Sequence, residues 1–200
     1  MTTLENILSV AKTEFLEKGY RSASLREISK KAGVTTGALY GYFKNKEEMF
    51  SALVSTQYEH ILALYGEILE AFFEQTPEDQ METMQSYSSR GMTKMRNYLY
   101  DNYDEFRLIL CCSEGTKYND LPSKMATLDV KATHDFTQNT HEAGIEVRKV
   151  CPYLEEILTN NMFEMFFNLV KCGIPREDSE EYVDQLLEFY SAGWERLMGI

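Results

Sequence analysis

The sequence predicts an all-α chain, and three observations carry that prediction. Apolar residues recur at steps of three and four along almost the whole length, the spacing that stripes one face of a helix. No run alternates apolar and polar residues as a half-buried strand does. The four prolines, at positions 77, 122, 152 and 175, each fall where a helix would start or stop. The 200 residues fit one large domain or two small ones, and no internal repeat is visible.

The first helix follows from Leu4, Leu8, Ala11 and Phe15, with Ile7 alongside. Thr2 and Glu5 have capping-box spacing at its start, and Gly19 can end it. Ser24-Leu25-Arg26-Glu27 reads as a second capping box, opening a short helix that runs to about residue 32. Gly33 supplies a tight turn, and Thr35 is the N-cap of a third helix reaching about residue 43. Asn45 caps a fourth, with Glu47 and Glu48 well placed against the helix dipole in its first turn.

That fourth helix is long, about 46 to 74, and carries Met49, Leu53, Ile61, Tyr65, Ile68 and Phe72. A fifth follows Pro77 to about residue 100. Shorter helices are expected over about 103–113 and 122–143. Two more are expected at about 152–172 and 176–198, separated by Gly173 and Pro175.

Residues 25–43 have the spacing of a helix-turn-helix. Ile28 and Ala32 face inward from its first helix, and Ser29 is small enough for the second helix to cross there. Val34, Leu39 and Phe43 face inward from the turn and the second helix. The outward face is then Thr36, Gly37, Tyr40 and Gly41, with Tyr42 and Lys44 at its edges. Such a face fits a major groove: glycine lets the backbone approach bases, while tyrosine hydroxyls and lysine ammonium groups suit phosphate oxygens.

The formal charge of −12 speaks against a polyanionic partner when taken as an average. The charge is not spread evenly. Residues 18–46 hold Lys18, Arg21, Arg26, Lys30, Lys31, Lys44 and Lys46 against Glu27 alone, a charge of +6. The basic segment coincides with the helix-turn-helix, and the acidity lies in the remaining body.

Several classes are excluded. No apolar run approaches the roughly 20 residues that span a bilayer. The first residues lack a basic segment followed by an apolar one, so no secretion signal and a cytoplasmic location are expected. Cys111, Cys112, Cys151 and Cys172 are then reduced thiols, read as buried packing. No zinc-protease, nucleophile-elbow, phosphate-loop or dinucleotide motif occurs, so no enzyme and no cofactor are expected. His134 and His141 are seven apart, not the four of a helical metal pair, and no metal is expected.

The stretch Ala32-Gly33-Val34-Thr35-Thr36-Gly37-Ala38-Leu39-Tyr40-Gly41-Tyr42-Phe43-Lys44-Asn45-Lys46-Glu47 closely resembles the signature of TetR-family transcriptional regulators. Phe15, Lys18-Gly19-Tyr20 and the segment from Ser24 to Ile28 match that family's first two helices. The resemblance covers about residues 4–53. It implies an N-terminal three-helix helix-turn-helix DNA-binding domain over 1–46 and a helical-bundle effector and dimerisation domain over 47–200. It further implies a homodimer on a palindromic double-stranded operator, with a small-molecule effector releasing a repressor.

By position, the resemblance gives Tyr40, Tyr42 and Lys46 to phosphates, and Thr36 and Gly37 to the approach to bases. Ser24 and Thr35 cap helices and donate to phosphates. Two departures stand out. Gly41 lies where relatives often carry a base-reading side chain, which shifts specificity to Thr36, Tyr40 and DNA shape. No base precedes Lys12, so a minor-groove arm is not expected.

In the acidic body, the dimer is expected from the last two helices. Phe166, Leu186, Phe189, Tyr190 and Trp194 form the interface on an apolar stripe wider than one packing partner covers. The effector cavity is expected among flexible and aromatic residues of the middle helices: Tyr58, Tyr65, Tyr87, Met95, Tyr98, Phe106 and Met125, with Met92 and Phe136 of the same kind. The expected effector is apolar or cationic, and no membrane partner is expected.

Overall fold

The structure is a computed structural model and describes residues 2–200. Among these residues there are nine α-helices and no strand, as the residue spacing predicts. In chain order they are α1 (Thr3–Ser22), α2 (Leu25–Lys31), α3 (Thr36–Tyr42), α4 (Lys46–Phe73) and α5 (Pro77–Asp101). Then come α6 (Tyr103–Cys111), α7 (Leu121–Glu142), α8 (Pro152–Lys171) and α9 (Ser179–Met198), the last preceded by a single 3-10 turn, Arg176–Asp178. No helix among the described residues is long and apolar enough to cross a membrane.

Contacts divide the chain into two compact units. The first runs to His60 and takes in Asn102–Leu121; the second is Ile61–Asp101 with Pro122–Ile200. Helix α4 begins in the first and ends in the second. The boundary expected at 46/47 follows the residues expected to meet DNA. Compactness groups the chain differently, because α6 and the first half of α4 pack with α1–α3.

The first unit is built on Phe15, Ile28, Leu39 and Phe50, none of which is exposed. The Phe15 and Phe50 rings meet edge to face at 5.1 Å, an arrangement that adds to plain burial. The segment after α6 is fastened to the same core. The Tyr20 N–H donates to the Cys112 carbonyl at 2.7 Å, and the Tyr118 hydroxyl donates to Ser51 Oγ at 2.9 Å. Lys12 pairs with Glu105 at 2.6 Å, joining α1 to α6.

Of the N-terminal caps expected from the sequence, one does not form. Thr2 and Glu5 form the expected capping box. Gly19 takes φ of 73° and breaks α1 a turn before its end, a conformation that a Cβ would strain. Ser24 stands at the N-cap of α2, but its side chain makes no cap hydrogen bond, so the second capping box does not form. Extended backbone at Ser24 starts the helix without it.

Glu14 was not singled out by its spacing. Its side chain is fully covered, yet Lys18 and Lys31 reach it at 2.6 and 2.8 Å. Hydrogen bonds from these two lysines hold its carboxyl below the usual range against the cost of burial. The Lys31 contact ties α2 to α1. Glu14→Gln is expected to destabilise the protein by about 1 kcal/mol, because the exposed lysines regain water and soften the loss. The effect belongs above pH about 4.5 and fades as pH falls through the lowered folded value. Thermal melts of both proteins at pH 7 and pH 4 check this; a larger gap at pH 4 would contradict it.

The cysteines depart from expectation. Cys112 is buried, and burial pushes its thiol up. Cys111, Cys151 and Cys172 are exposed. Each stands in the last turn or at the cap of a helix, where a small residue is tolerated without being packed.

Candidate functional site

The helix-turn-helix is held by backbone bonds that the sequence foreshadows. At the end of α2, the Val34 N–H donates to the Ser29 carbonyl at 3.0 Å and the Gly33 N–H donates to Lys30 at 3.2 Å. This is the paired closure that needs a left-handed residue, and Gly33 supplies φ of 69°. Thr35 Oγ1 then accepts the Ala38 N–H at 3.1 Å and opens α3. Asn45 Oδ1 accepts the Glu48 N–H at 2.8 Å and opens α4.

These caps orient α3. Leu39 and Phe43 point into the core with Ile28, Ser29 and Ala32, while Val34 is half-buried at the turn. Thr36, Gly37, Tyr40, Gly41 and Tyr42 are exposed, Tyr40 by 52% and Tyr42 by 46%. Two tyrosines on an exposed helical face offer rings and hydroxyls to a partner. No heavy atom lies within 4 Å of a Cβ built on Gly41, so that stretch of helix is open to close approach.

Thr36 has a defined hydroxyl. Ser29 Oγ donates to the Arg26 carbonyl at 2.9 Å and lies 3.3 Å from Thr36 Oγ1. The single Ser29 proton is used on the carbonyl, so Thr36 is the donor between the two hydroxyls. What Thr36 offers outward is an oxygen lone pair and a methyl group. These suit an exocyclic amine of adenine or cytosine, or the thymine methyl.

The seven bases of 18–46 are not equivalent. Lys18 and Lys31 are engaged by Glu14, and Arg21 pairs with Glu114 at 2.8 Å. Lys46 Nζ donates to the carbonyls of Arg21 and Ala23 at 3.0 and 3.2 Å and lies 4.7 Å from the centroid of the Tyr20 ring. It closes the end of α1 and keeps one N–H for a further acceptor. Arg26, Lys30 and Lys44 are exposed and, among the described residues, have no acidic partner. Arg26 and Lys30 were missed as site residues, although their spacing of four on a short helix signals one basic face.

The second unit holds a cavity of about 180 Å³. Tyr65, Tyr87, Met92, Met95 and Phe136 line it, with Trp194 and Tyr190 of α9. Four of the residues expected there do not line it. Tyr58 and Phe106 are buried in the first unit, where Tyr58 donates to Asp120 Oδ1 at 2.7 Å. Met125 is fully buried in the second unit without facing the cavity, and Tyr98 is half-buried elsewhere on α5. Helical spacing places these residues inward but cannot distinguish a packed interior from a hollow one.

The expected dimer residues also divide. Phe166, Leu186 and Tyr190 are buried within the subunit, and Trp194 is half-buried at the cavity. Phe189 is 71% exposed. Tyr153, Leu154, Ile157 and Met165 of α8 and Leu197 of α9 are exposed as well. Met165 marks the seam: the Tyr182 hydroxyl donates to its carbonyl at 2.7 Å, and the Tyr190 hydroxyl lies 3.7 Å from its sulfur. The stripe is broad, so periodicity did not separate residues packed within the chain from those left exposed.

Comparison with known proteins agrees with this geometry. Residues 7–53 match the family model described as bacterial regulatory proteins, tetR family. The transposon Tn10 TetC protein of Escherichia coli is 45% identical over 56 residues, 28% of each chain. The HTH-type transcriptional regulator AcrR of Shigella flexneri is 49% identical over 51 residues, 26% of this chain and 24% of that one. The chain thus spans about a quarter of the length of these relatives. The likeness of fold is longer. The TetR-family transcriptional regulator PfmR of Thermus thermophilus superposes with a TM-score of 0.57 over 94% of this chain and 96% of its own, at 22% identity. Residues 7–53 therefore match the tetR family of bacterial regulatory proteins by sequence, and the chain shares its fold along nearly all its length with a solved regulator of that family.

Proposed function

We propose that the chain is a sequence-specific DNA-binding transcriptional regulator of the cytoplasm, a homodimeric repressor released from a palindromic operator by a small molecule. The observation that carries the reading is the exposed face of α3, with Thr36, Gly37 and Tyr40 held outward by caps at both ends. Residues 1–46 would meet DNA, and 47–200 would sense the effector and dimerise. Each subunit presents one α3, and two must fall about 34–36 Å apart, or a multiple, to enter successive grooves on one side of the duplex. An effector that prefers a conformer with another spacing weakens DNA binding by linkage. Helix α4 begins beside α3 and ends at the cavity, so it is the lever.

The roles of the site residues follow. Tyr40, Tyr42, Lys46, Ser24 and Thr35 hold phosphates, joined by Arg26, Lys30 and Lys44. The body remains acidic, so loose binding to DNA is weak and the specific complex depends steeply on salt.

The test is to select DNA with the protein and titrate the recovered operator by fluorescence anisotropy. Tyr42→Phe should weaken binding to all sequences by about twofold to tenfold, the worth of one hydrogen bond. Lys44→Ala should weaken binding uniformly and lower the salt slope by about one. Thr36→Val keeps the shape and removes the lone pair, so it should change which bases are preferred. If Thr36→Val left the preference intact and Lys44→Ala left the slope intact, this face would not be the reading surface.

A further inference from the structure

We propose that the cavity of the second unit takes a lipophilic organic cation of about one aromatic ring, its positive centre set against the Asp129 carboxylate. The proposal rests on the reading of this cavity as the effector site, and it names the chemistry of the effector.

Size comes first. The cavity measures about 180 Å³. An apolar cavity of roughly 150 Å³ accommodates one benzene. One ring with a small head group is therefore the scale.

Charge comes second. The cavity lining includes two carboxylates, Asp129 and Glu195, and no lysine, arginine or histidine. Glu195 is exposed, whereas Asp129 is half-buried, and both line the cavity. The Tyr65 hydroxyl donates to Asp129 Oδ1, and among the described residues it is the one hydrogen-bond partner of that carboxylate. A neutral donor of this kind does not balance a charge. Behind it stands a second buried carboxylate, Glu155 of α8. One of its oxygens lies 3.0 Å from His134 Nε2 of α7, and the other, Oε1, is buried without a partner. The deep part of the cavity is thus negative and short of a counter-charge.

The walls fit the same ligand. Tyr65, Phe72, Tyr87, Phe136, Tyr190 and Trp194 present π systems, which attract a cation within about 6 Å of a ring centre. Methionines 84, 92, 95, 162 and 198 fill the gaps between rings and adapt to differing hydrocarbon shapes. A metal ion would need several oxygen ligands, and here the rings outnumber them. An anion would meet two carboxylates. A neutral molecule would leave Asp129 without its counter-charge.

Burial, then the field of Glu155, raise the Asp129 carboxyl to about 6, against the bond from Tyr65. The other titratable groups around it are Glu195 on α9, His134 on α7, and the phenols of Tyr87 on α5 and Tyr190 on α9. Cation binding should then weaken as the pH falls through about 6 and Asp129 takes up a proton.

The chain supplies its own reporter. Its single tryptophan, Trp194, lines the cavity, so binding can be read by fluorescence without DNA. The probes are benzyltrimethylammonium, neutral 3-phenyl-1-propanol and anionic 3-phenylpropionate, titrated into the intact chain. Benzyltrimethylammonium should bind saturably and at least tenfold more tightly than the alcohol, with no saturation by the acid. Asp129→Asn should weaken the cation at least tenfold and leave the alcohol within about threefold. Equal affinity for the cation and the alcohol would overturn the proposal, as would no binding of any probe to the unsubstituted protein or a cation affinity untouched by Asp129→Asn. Operator titration is a separate reading. A protein that binds its operator but shows no preference for the cation loses this proposal and keeps the regulator; one that binds the cation but no DNA loses the regulator alone.

Discussion

Phe189→Glu should convert the proposed dimer to monomers at micromolar concentration and weaken binding to the selected operator by about a hundredfold or more. Phe189 is 71% exposed, and α8 and α9 also leave Ile157, Met165 and Leu197 exposed. A two-fold interface meets itself, so one substitution places two carboxylates in the same patch. Each would lose water without gaining a cation. The consequence for DNA is larger than the consequence for the interface. A dimer makes the second half-site contact intramolecular, and that linkage is worth about 10² to 10⁴ in affinity. Because Phe189 supports little of its own subunit, the melting temperature of the monomeric variant should stay close to that of a dilute parent. Leu186 provides the contrast: it is 6% exposed, and Leu186→Glu should unfold the second unit rather than separate two copies. Sedimentation and operator titration check the pair. A dimer mass for Phe189→Glu would move the interface elsewhere.

The same two residues show how far the sequence could be read. Leu186 and Phe189 are neighbours on one apolar stripe, and both were expected at the dimer face. Periodicity reports that a side chain avoids water; it does not report which partner shields it. That information lies in how α8 and α9 pack, with Met165 at the seam. The helix-turn-helix was more legible because each of its parts is local. Gly33 sets the turn, Thr35 and Asn45 set the caps, and the spacing of Ile28, Leu39 and Phe43 sets the inward face. All of these act within a few residues of themselves.

The cavity was half legible for the opposite reason. Tyr65, Tyr87 and Met95, expected at an effector site, line the cavity, yet Tyr58 and Phe106 carry the same signal and belong to the core of the first unit. A hollow depends on side chains from four or five helices failing to fill a space, which no single helix records. Asp129 and Glu14 were not singled out for a related reason. Each is an ordinary acid in a sequence with 32 of them, and only packing reveals that one is satisfied by two lysines and the other by a lone phenol.

That contrast leads to the second large effect. In the ligand-free protein, Asp129→Asn should be stabilising above pH 7, by up to about 3 kcal/mol. An unfolded aspartate ionises near 3.8, and the folded one near about 6. A shift of about two units at roughly 1.4 kcal/mol per unit gives that size. The sign follows from the protons. Between the two values the folded chain holds a proton that the unfolded chain has released, so stability falls as the pH rises. Below about pH 3.8 both states are protonated and the penalty vanishes; above about 6 both are ionised and it is present in full. Asparagine carries no charge at any of these values and still offers an oxygen to the Tyr65 hydroxyl. Urea unfolding followed at Trp194 reports the unit concerned. The difference between variant and parent should be near zero at pH 4 and should grow through pH 6 to a plateau by pH 8. An asparagine variant less stable than the parent at pH 8 would mean that the carboxylate already has a counter-charge within the fold. A buried carboxylate held at such a cost calls for a counter-charge. The cation proposed for that cavity would supply one: in its presence the parent should regain the stability that the variant gains by substitution, and the variant should gain little more.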